Sequence, residues 1–67
     1  MVLEVKMREW LVKKRKARAL SQKEVAEFCG ISKSYYEKIE RGERNVPVKT
    51  AKKIANFFQF NWILFYD

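Results

Sequence analysis

The chain has 67 residues, with 15 Lys and Arg against 8 Asp and Glu, and it carries a formal net charge of +7. This length suits one small domain with a single core, and we treat residues 1–67 as that domain. One cysteine and no histidine exclude a disulfide framework and a Cys/His zinc site. The acidic residues form no catalytic pair or triad, so we expect no enzyme, no cofactor and no metal site.

The positive charge favours an anionic partner, either nucleic acid or an anionic membrane surface. A membrane is disfavoured as the partner, because the apolar stripe of the first predicted helix is needed by the core. No apolar run approaches the roughly 20 residues of a membrane span. We therefore expect a cytoplasmic protein.

A first helix is predicted from Leu3 to Arg18, because apolar side chains recur every four residues at Leu3, Met7 and Leu11. The opposite face carries a dense basic run, residues 13–16 with Arg18. This run fits either a nucleic-acid contact or an ordinary solvated helix face.

Arg15 differs from the rest of this run because it follows Leu11 by four residues, on the apolar side of the helix. An arginine in that position needs a partner or must reach water. Glu40, at the end of the third predicted helix, is the candidate partner, since an Arg fork and a carboxylate form paired hydrogen bonds. We expect Arg15 and Glu40 to form an internal ion pair.

Residues 20–42 predict a helix-turn-helix, because two short amphipathic segments are separated by a brief turn. The first segment begins after Ser21, an N-cap that forms a capping box with Glu24. Gly30 ends it by taking a positive φ, and Ser32 caps the second segment. The side chains predicted to face the core are Val25, Ala26, Cys29, Tyr36 and Ile39.

A fourth helix is predicted to begin near Pro47, after a loop that starts with a left-handed Gly42. Its apolar stripe is Val48, Ala51, Ile54, Ala55 and Phe58. A short fifth helix is predicted after the turn residues Gln59 and Asn61. The sequence thus predicts an all-α domain of five helices.

The C-terminal stretch is unusually aromatic for so small a chain. These rings either all belong to the core or leave a self-complementary patch that joins two copies. The residues predicted for such a homodimer interface are Phe60, Trp62, Ile63, Phe65 and Tyr66.

The motif resembles the Xre family of helix-turn-helix regulators, which includes lambda-type phage repressors and Cro. The resemblance is carried by Leu20-Ser21-Gln22, Val25-Ala26, Gly30-Ile31-Ser32, Ile39-Glu40-Arg41-Gly42 and Arg44-Asn45. It extends over nearly the whole chain and implies a compact, five-helix, lambda-repressor-like DNA-binding domain, with the motif at helices 2 and 3. It also implies that Arg15 pairs with Glu40.

Two positions depart from the family pattern. Ala19 replaces the usual glycine, which we interpret as an extension of the first helix. Tyr36 stands where a branched aliphatic residue is common, which raises the question of how tightly the two motif helices pack.

The Tyr35-Tyr36 pair and residues 61–65 resemble members from phages and mobile elements of Gram-positive bacteria.

The second motif helix is the predicted reader of double-stranded DNA, since a helix fits the major groove. Its outward residues are the predicted base contacts: Lys33, Ser34, Glu37 and Lys38. Lysine can donate to guanine, and glutamate can accept from cytosine. The predicted contacts to the DNA backbone are Gln22, Ser32, Tyr35, Arg41 and Arg44, of which Gln22 also follows from the family resemblance.

These features together predict a sequence-specific transcriptional regulator, most simply a repressor that binds a palindromic operator as a homodimer. The alternative is a protein-interaction module, such as an antitoxin or anti-repressor, whose aromatic patch binds a partner protein and whose DNA contact is secondary. Sequence-blind DNA binding by a monomer would favour the alternative.

Overall fold

The computed structural model describes residues 7–66, which form four α-helices and one 3-10 helix and contain no β-strand. The helices are α1 (Glu9–Ala17), α2 (Gln22–Cys29), α3 (Lys33–Glu40) and α4 (Val48–Phe58), followed by the 3-10 helix Trp62–Tyr66. The all-α class agrees with the prediction, but a fifth α-helix does not form within these residues. Its place is taken by a 3-10 turn, in which the Leu64 amide donates to the carbonyl of Asn61 three residues earlier, at 3.0 Å.

Helix α1 is shorter than predicted, since it begins at Glu9 and ends at Ala17. Leu3 lies outside the described residues. Leu11 is completely buried, but Met7 is 52% exposed and precedes the helix. Trp10 packs against the core instead, with its ring 5.3 Å from Phe60 and 5.1 Å from Phe65.

The interpretation of Ala19 as an extension of α1 is wrong, because Ala19 has a φ of 55° and the helix has already ended. The Ala19 amide donates to the Lys16 carbonyl at 2.9 Å, and the Leu20 amide donates to the Arg15 carbonyl at 3.3 Å. This pair of bonds is the Schellman arrangement, in which the residue after the cap is left-handed and usually glycine. Alanine therefore occupies a glycine position.

We expect Ala19→Gly to raise the free energy of unfolding by about 0.5–1 kcal/mol. The left-handed conformation costs alanine about 1–2 kcal/mol, and the greater freedom of glycine in the unfolded chain takes back about 0.5–1 kcal/mol. Urea unfolding followed by circular dichroism measures the change. Ala17→Gly, in the last turn of α1, is the matched control and should destabilise, so equal losses at both positions would contradict a strained Ala19.

The two motif helices have the predicted end signals. The Ser21 hydroxyl accepts from the Glu24 amide at 3.0 Å and the Glu24 carboxylate accepts from the Ser21 amide at 2.9 Å, which confirms the capping box. Gly30 ends α2 with a φ of 69°, and the Ser32 hydroxyl accepts from the Tyr35 amide at 3.1 Å. All five side chains predicted to face the core are buried.

Tyr36 is fully buried between the motif helices, so the aromatic ring packs where a branched aliphatic residue is common. Its hydroxyl is also buried and has no hydrogen-bond partner among the described residues. Burial is the main reason that the pKa of Tyr36 is raised far above its usual value, and the neighbouring Glu40 carboxylate raises it further. Burying this hydroxyl without a partner therefore costs the fold free energy.

We expect Tyr36→Phe to raise the free energy of unfolding by about 1 kcal/mol, because it removes an unsatisfied buried hydroxyl and keeps the ring. Thermal and urea unfolding measure this change in the free energy of unfolding. Tyr35→Phe, at a partly exposed position, should change stability by less than about 0.5 kcal/mol and serves as the control. A loss of about 1 kcal/mol in Tyr36→Phe would show instead that the hydroxyl makes a hydrogen bond.

Helix α4 begins directly after Pro47 and buries Ala51, Ile54, Ala55 and Phe58, as its stripe predicts. Val48 is the exception at 46% exposed. Within residues 7–66, no helix has the length and apolar character needed to cross a membrane.

The C-terminal aromatic residues divide between core and surface. Phe65, predicted to join a dimer interface, is only 7% exposed because Trp10 and Phe60 pack on it, so it belongs to the core. Ile63 and Tyr66 are each 48% exposed, and the Tyr66 hydroxyl donates to the Val46 carbonyl. The surface that remains for a partner at this end consists of Trp62, Ile63 and Tyr66, with Phe60 half-buried behind them.

Candidate nucleic-acid interface

Helix α3 turns Tyr36 and Ile39 into the core and presents its opposite side to solvent. The predicted base-contacting residues lie on that outward side: Lys33 and Ser34 are exposed, and Glu37 and Lys38 are half-buried. The N-terminal turn of α3 is thus polar and accessible, which is what entry into a major groove requires.

Two of these side chains contact each other. The Lys33 ammonium lies 3.6 Å from the Glu37 carboxylate, one helical turn away, with side chains 56% and 32% exposed. An exposed pair of this kind contributes at most about 1 kcal/mol. Breaking this pair so that Lys33 and Glu37 can contact base edges therefore costs little free energy.

The predicted backbone contacts surround α3 but are not equally available. The Ser32 hydroxyl accepts from the Tyr35 amide and keeps its own hydrogen to donate, and Tyr35 is partly buried against the core. Arg41 lies 2.8 Å from the Glu43 carboxylate in an exposed pair. Arg44 is exposed in the loop after α3. Arg41 and Arg44 are thus exposed cations beside the end of α3.

Glu40 joins three helices at one buried carboxylate. Arg15 of α1 donates through Nε to Oε2 at 2.7 Å and through Nη2 to Oε1 at 3.3 Å, and Glu40 is 2% exposed. Gln22, the first residue of α2, donates through Nε2 to Oε1 at 3.0 Å. The amide group has a second hydrogen, so Gln22 can brace α3 and still donate to a phosphate.

The pKa of Glu40 reflects two opposing causes. Burial alone would raise it, but the hydrogen bonds from Arg15 and Gln22 and the charge of Arg15 outweigh burial and hold it below its usual value. The side-chain hydrogen bond with Glu40 likewise raises the pKa of Arg15. The ion pair is therefore present in its charged form at neutral pH.

Because the pKa of Glu40 is lower in the folded state than in the unfolded chain, its ionised form stabilises the fold above about pH 4.5. We expect that stability to be lost as the pH falls from about 4.5 through the lowered pKa. Urea unfolding between pH 7 and pH 3 measures this. In Glu40→Gln the free energy of unfolding should depend less on pH. If its pH dependence were unchanged in that variant, the acid sensitivity would belong to other carboxylates.

Arg8 is a residue of this site that the sequence analysis did not identify. Its amide donates to the Glu40 carbonyl at 2.7 Å and its Nη1 to the Ile39 carbonyl at 2.7 Å and the Arg44 carbonyl at 3.4 Å. It thus joins the segment before α1 to the end of α3 and to the loop that follows α3. Burial lowers its pKa. Its position before α1 gave no periodic signal that could have revealed this role.

The basic run of α1 also divides into different roles. Arg18 donates to the Phe57 and Phe58 carbonyls, at 2.9 and 3.1 Å, and so closes the end of α4. The Lys14 ammonium lies 5.2 Å from the centre of the Phe60 ring. Lys13 and Lys16 are exposed. The run is therefore partly a structural feature, and only some of its charge is available to a ligand.

A sequence profile of a family described as Helix-turn-helix matches residues 11–63. This range includes most of α1, all of α2, α3 and α4, and the start of the 3-10 helix. The chain is also similar to a protein of Bacillus subtilis (strain 168), named as an uncharacterized HTH-type transcriptional regulator, YqaF. The two are 39% identical over 61 residues, which are 91% of this chain and 80% of that protein. The chain therefore belongs to the helix-turn-helix family, in agreement with the Xre-type pattern of its motif.

Proposed function

We propose that the protein is a sequence-specific regulator of transcription that binds double-stranded DNA. The observation that carries the proposal is the arrangement of α3, whose outward face is polar while its last residue is fixed by Arg15 and Gln22. A rigid helix with accessible donors and acceptors is suited to reading base edges. The similarity to a named transcriptional regulator supports the same conclusion.

In this proposal α3 lies in the major groove. Lys33 and Lys38 donate to guanine, Glu37 accepts from the amino group of cytosine, and Ser34 contacts either a base or a phosphate. Gln22 donates to a phosphate at the start of α2, where the first amides of the helix also favour an anion. The remaining proposed backbone contacts are Ser32, Tyr35, Arg41 and Arg44.

A single α3 reads too few base pairs for tight binding, so the proposed active form is a homodimer on a palindrome. Two-fold symmetry then places the half-sites about one helical turn apart. Binding of this kind represses most simply by occupying a promoter. The alternative, a protein-interaction module with secondary DNA binding, is supported by the exposed apolar residues Ile63 and Tyr66.

A titration of the ¹⁵N-labelled chain with a mixed-sequence DNA duplex tests where DNA binds. We expect the amide shifts to change at the start of α2, along α3 and in the loop that carries Arg44. Shifts confined to the lysines of α1 and α4 would contradict the proposed interface. No shifts at low salt would favour the protein-interaction module.

A further inference from the structure

Phe28 is the most exposed large hydrophobic side chain of the described residues, at 71%. It lies near the end of α2, about 9 Å along the helix from Gln22. Its ring stacks on Phe57 of α4, with centroids 5.0 Å apart and planes inclined by 24°. Helix α2 therefore displays an aromatic ring that packs on α4 with one face and is open to water on the other, as is typical of an interaction surface.

A groove of about 490 Å³ opens beside this ring, between α2 and α4. Its lining includes Glu27, Phe28, Gly30, Lys53, Asn56 and Phe57. The space beside Gly30 is open, since no atom lies within 4 Å of the position that a Cβ would occupy there. A projecting aromatic side chain and a groove thus lie side by side on one surface.

The charges on this surface have opposite signs on the two sides of the groove. Glu27 on α2 and Lys53 on α4 are both exposed. In a two-fold contact, residue i of one copy meets residue j of the other and the reverse. The acidic side of one copy would therefore meet the basic side of the second, and the groove is electrostatically complementary to itself.

Cations border both surfaces, since the Arg18 guanidinium lies 5.7 Å from the centre of the Phe57 ring in the groove. The groove lining also includes an acidic residue, Glu27, whereas among the described residues the lining beside Phe60 and Trp62 includes none. The Lys14 and Lys52 ammonium groups lie 5.2 Å from the centres of the Phe60 and Trp62 rings, respectively. Two copies that met through these rings would bring like charges together. For a chain with a net charge of +7, a surface with both signs is the better place for a second copy.

We propose that a second copy of this chain docks here, with Phe28 of each copy seated in the groove of the other and Glu27 facing Lys53 twice. The proposal depends on the proposed function only in assuming that two copies associate. It concerns the protein without DNA, so the dimer contact and the DNA contact can fail separately.

Sedimentation velocity of the full chain without DNA, over a range of protein concentrations, tests the proposal. We expect a concentration-dependent dimer whose dissociation constant rises at least about tenfold in Phe28→Ser. Ile63→Ser, at an exposed C-terminal position, is the matched control and should change it less than about twofold. Because both positions are exposed, thermal unfolding should show that both variants remain folded.

The charges give a second and sharper test. Glu27→Lys and Lys53→Glu should each weaken the dimer, and the double variant should restore it to within about threefold. General repulsion predicts a different pattern, in which Lys53→Glu strengthens association because it lowers the net charge.

Three results would overturn the proposal: a wild-type chain that stays monomeric, a larger effect of Ile63→Ser than of Phe28→Ser, or a double variant no tighter than the single ones. An intact dimer that fails to discriminate DNA sequences would instead count against the proposed function.

Discussion

Glu40→Ala is expected to lower the free energy of unfolding by about 3–5 kcal/mol, because it leaves the Arg15 guanidinium facing a helix interface without its partner. The Arg15 side chain is 12% exposed and the Glu40 side chain is 2% exposed, so water solvates neither charged group well. A domain of 67 residues has a total stability of only about 3–10 kcal/mol. The variant should therefore be partly unfolded at room temperature, which circular dichroism and urea titration measure directly.

Glu43→Ala provides the control, since Glu43 also pairs with an arginine but both side chains are more than 40% exposed. It should cost less than about 1 kcal/mol. A double-mutant cycle then isolates the pair: Arg15→Ala should cost much less in the Glu40→Ala background than in the wild type. If Glu40→Ala changed stability by as little as Glu43→Ala, the carboxylate would not be the point that joins α1, α2 and α3.

Lys33→Ala and Arg44→Ala should weaken DNA binding in different ways. Lys33 lies on the outward face of α3, so its loss should cost about 1–3 kcal/mol at one base-pair position and relax the preference there. The pair with Glu37 is exposed and reduces this effect only slightly. Arg44 follows α3, so its loss should weaken all sequences alike and lower the salt slope by about one.

Fluorescence anisotropy with a bound duplex and its single base-pair variants, at several salt concentrations, separates these outcomes. Lys49→Ala, on an exposed position of α4, is the charge-matched control, and we expect it to leave base preference unchanged. Equal losses on every duplex for both Lys33→Ala and Arg44→Ala would contradict the assignment of Lys33 as a base contact.

The features that the sequence predicted well are those with local signals. Ser21 with Glu24, Gly30 and Ser32 each specify a helix end through hydrogen bonds within a few residues, and the structure contains all of them. The pairing of Arg15 with Glu40 came from helix faces, because a buried arginine requires a carboxylate nearby. These inferences needed no knowledge of how distant elements pack.

The features that the sequence did not predict depend on tertiary packing. Ala19 carries a side chain that is compatible with a helix, so nothing local shows that the chain forces it into the left-handed region. Arg8 acts on carbonyls 31 or more residues away, which no periodicity reveals. Phe65 was assigned to a surface because a count of aromatic residues does not show that Trp10 covers it.

The sequence also did not predict that Phe28 is exposed. On a helical wheel it falls beside the core-facing residues of α2, and its exposure follows only from where α4 packs. The sequence therefore pointed to the C-terminal rings as the dimer surface, whereas the charges and the groove favour the surface around Phe28.

Selection of bound duplexes from a random DNA library tests whether α3 reads a specific palindrome, since it returns both the preferred bases and their spacing. We expect enrichment of one palindromic site with half-sites about one helical turn apart. With the Lys33→Ala variant, we expect the preference at one position in each half-site to be lost. Recovery of unenriched DNA at a salt concentration where the wild-type chain still binds would contradict sequence-specific reading by α3.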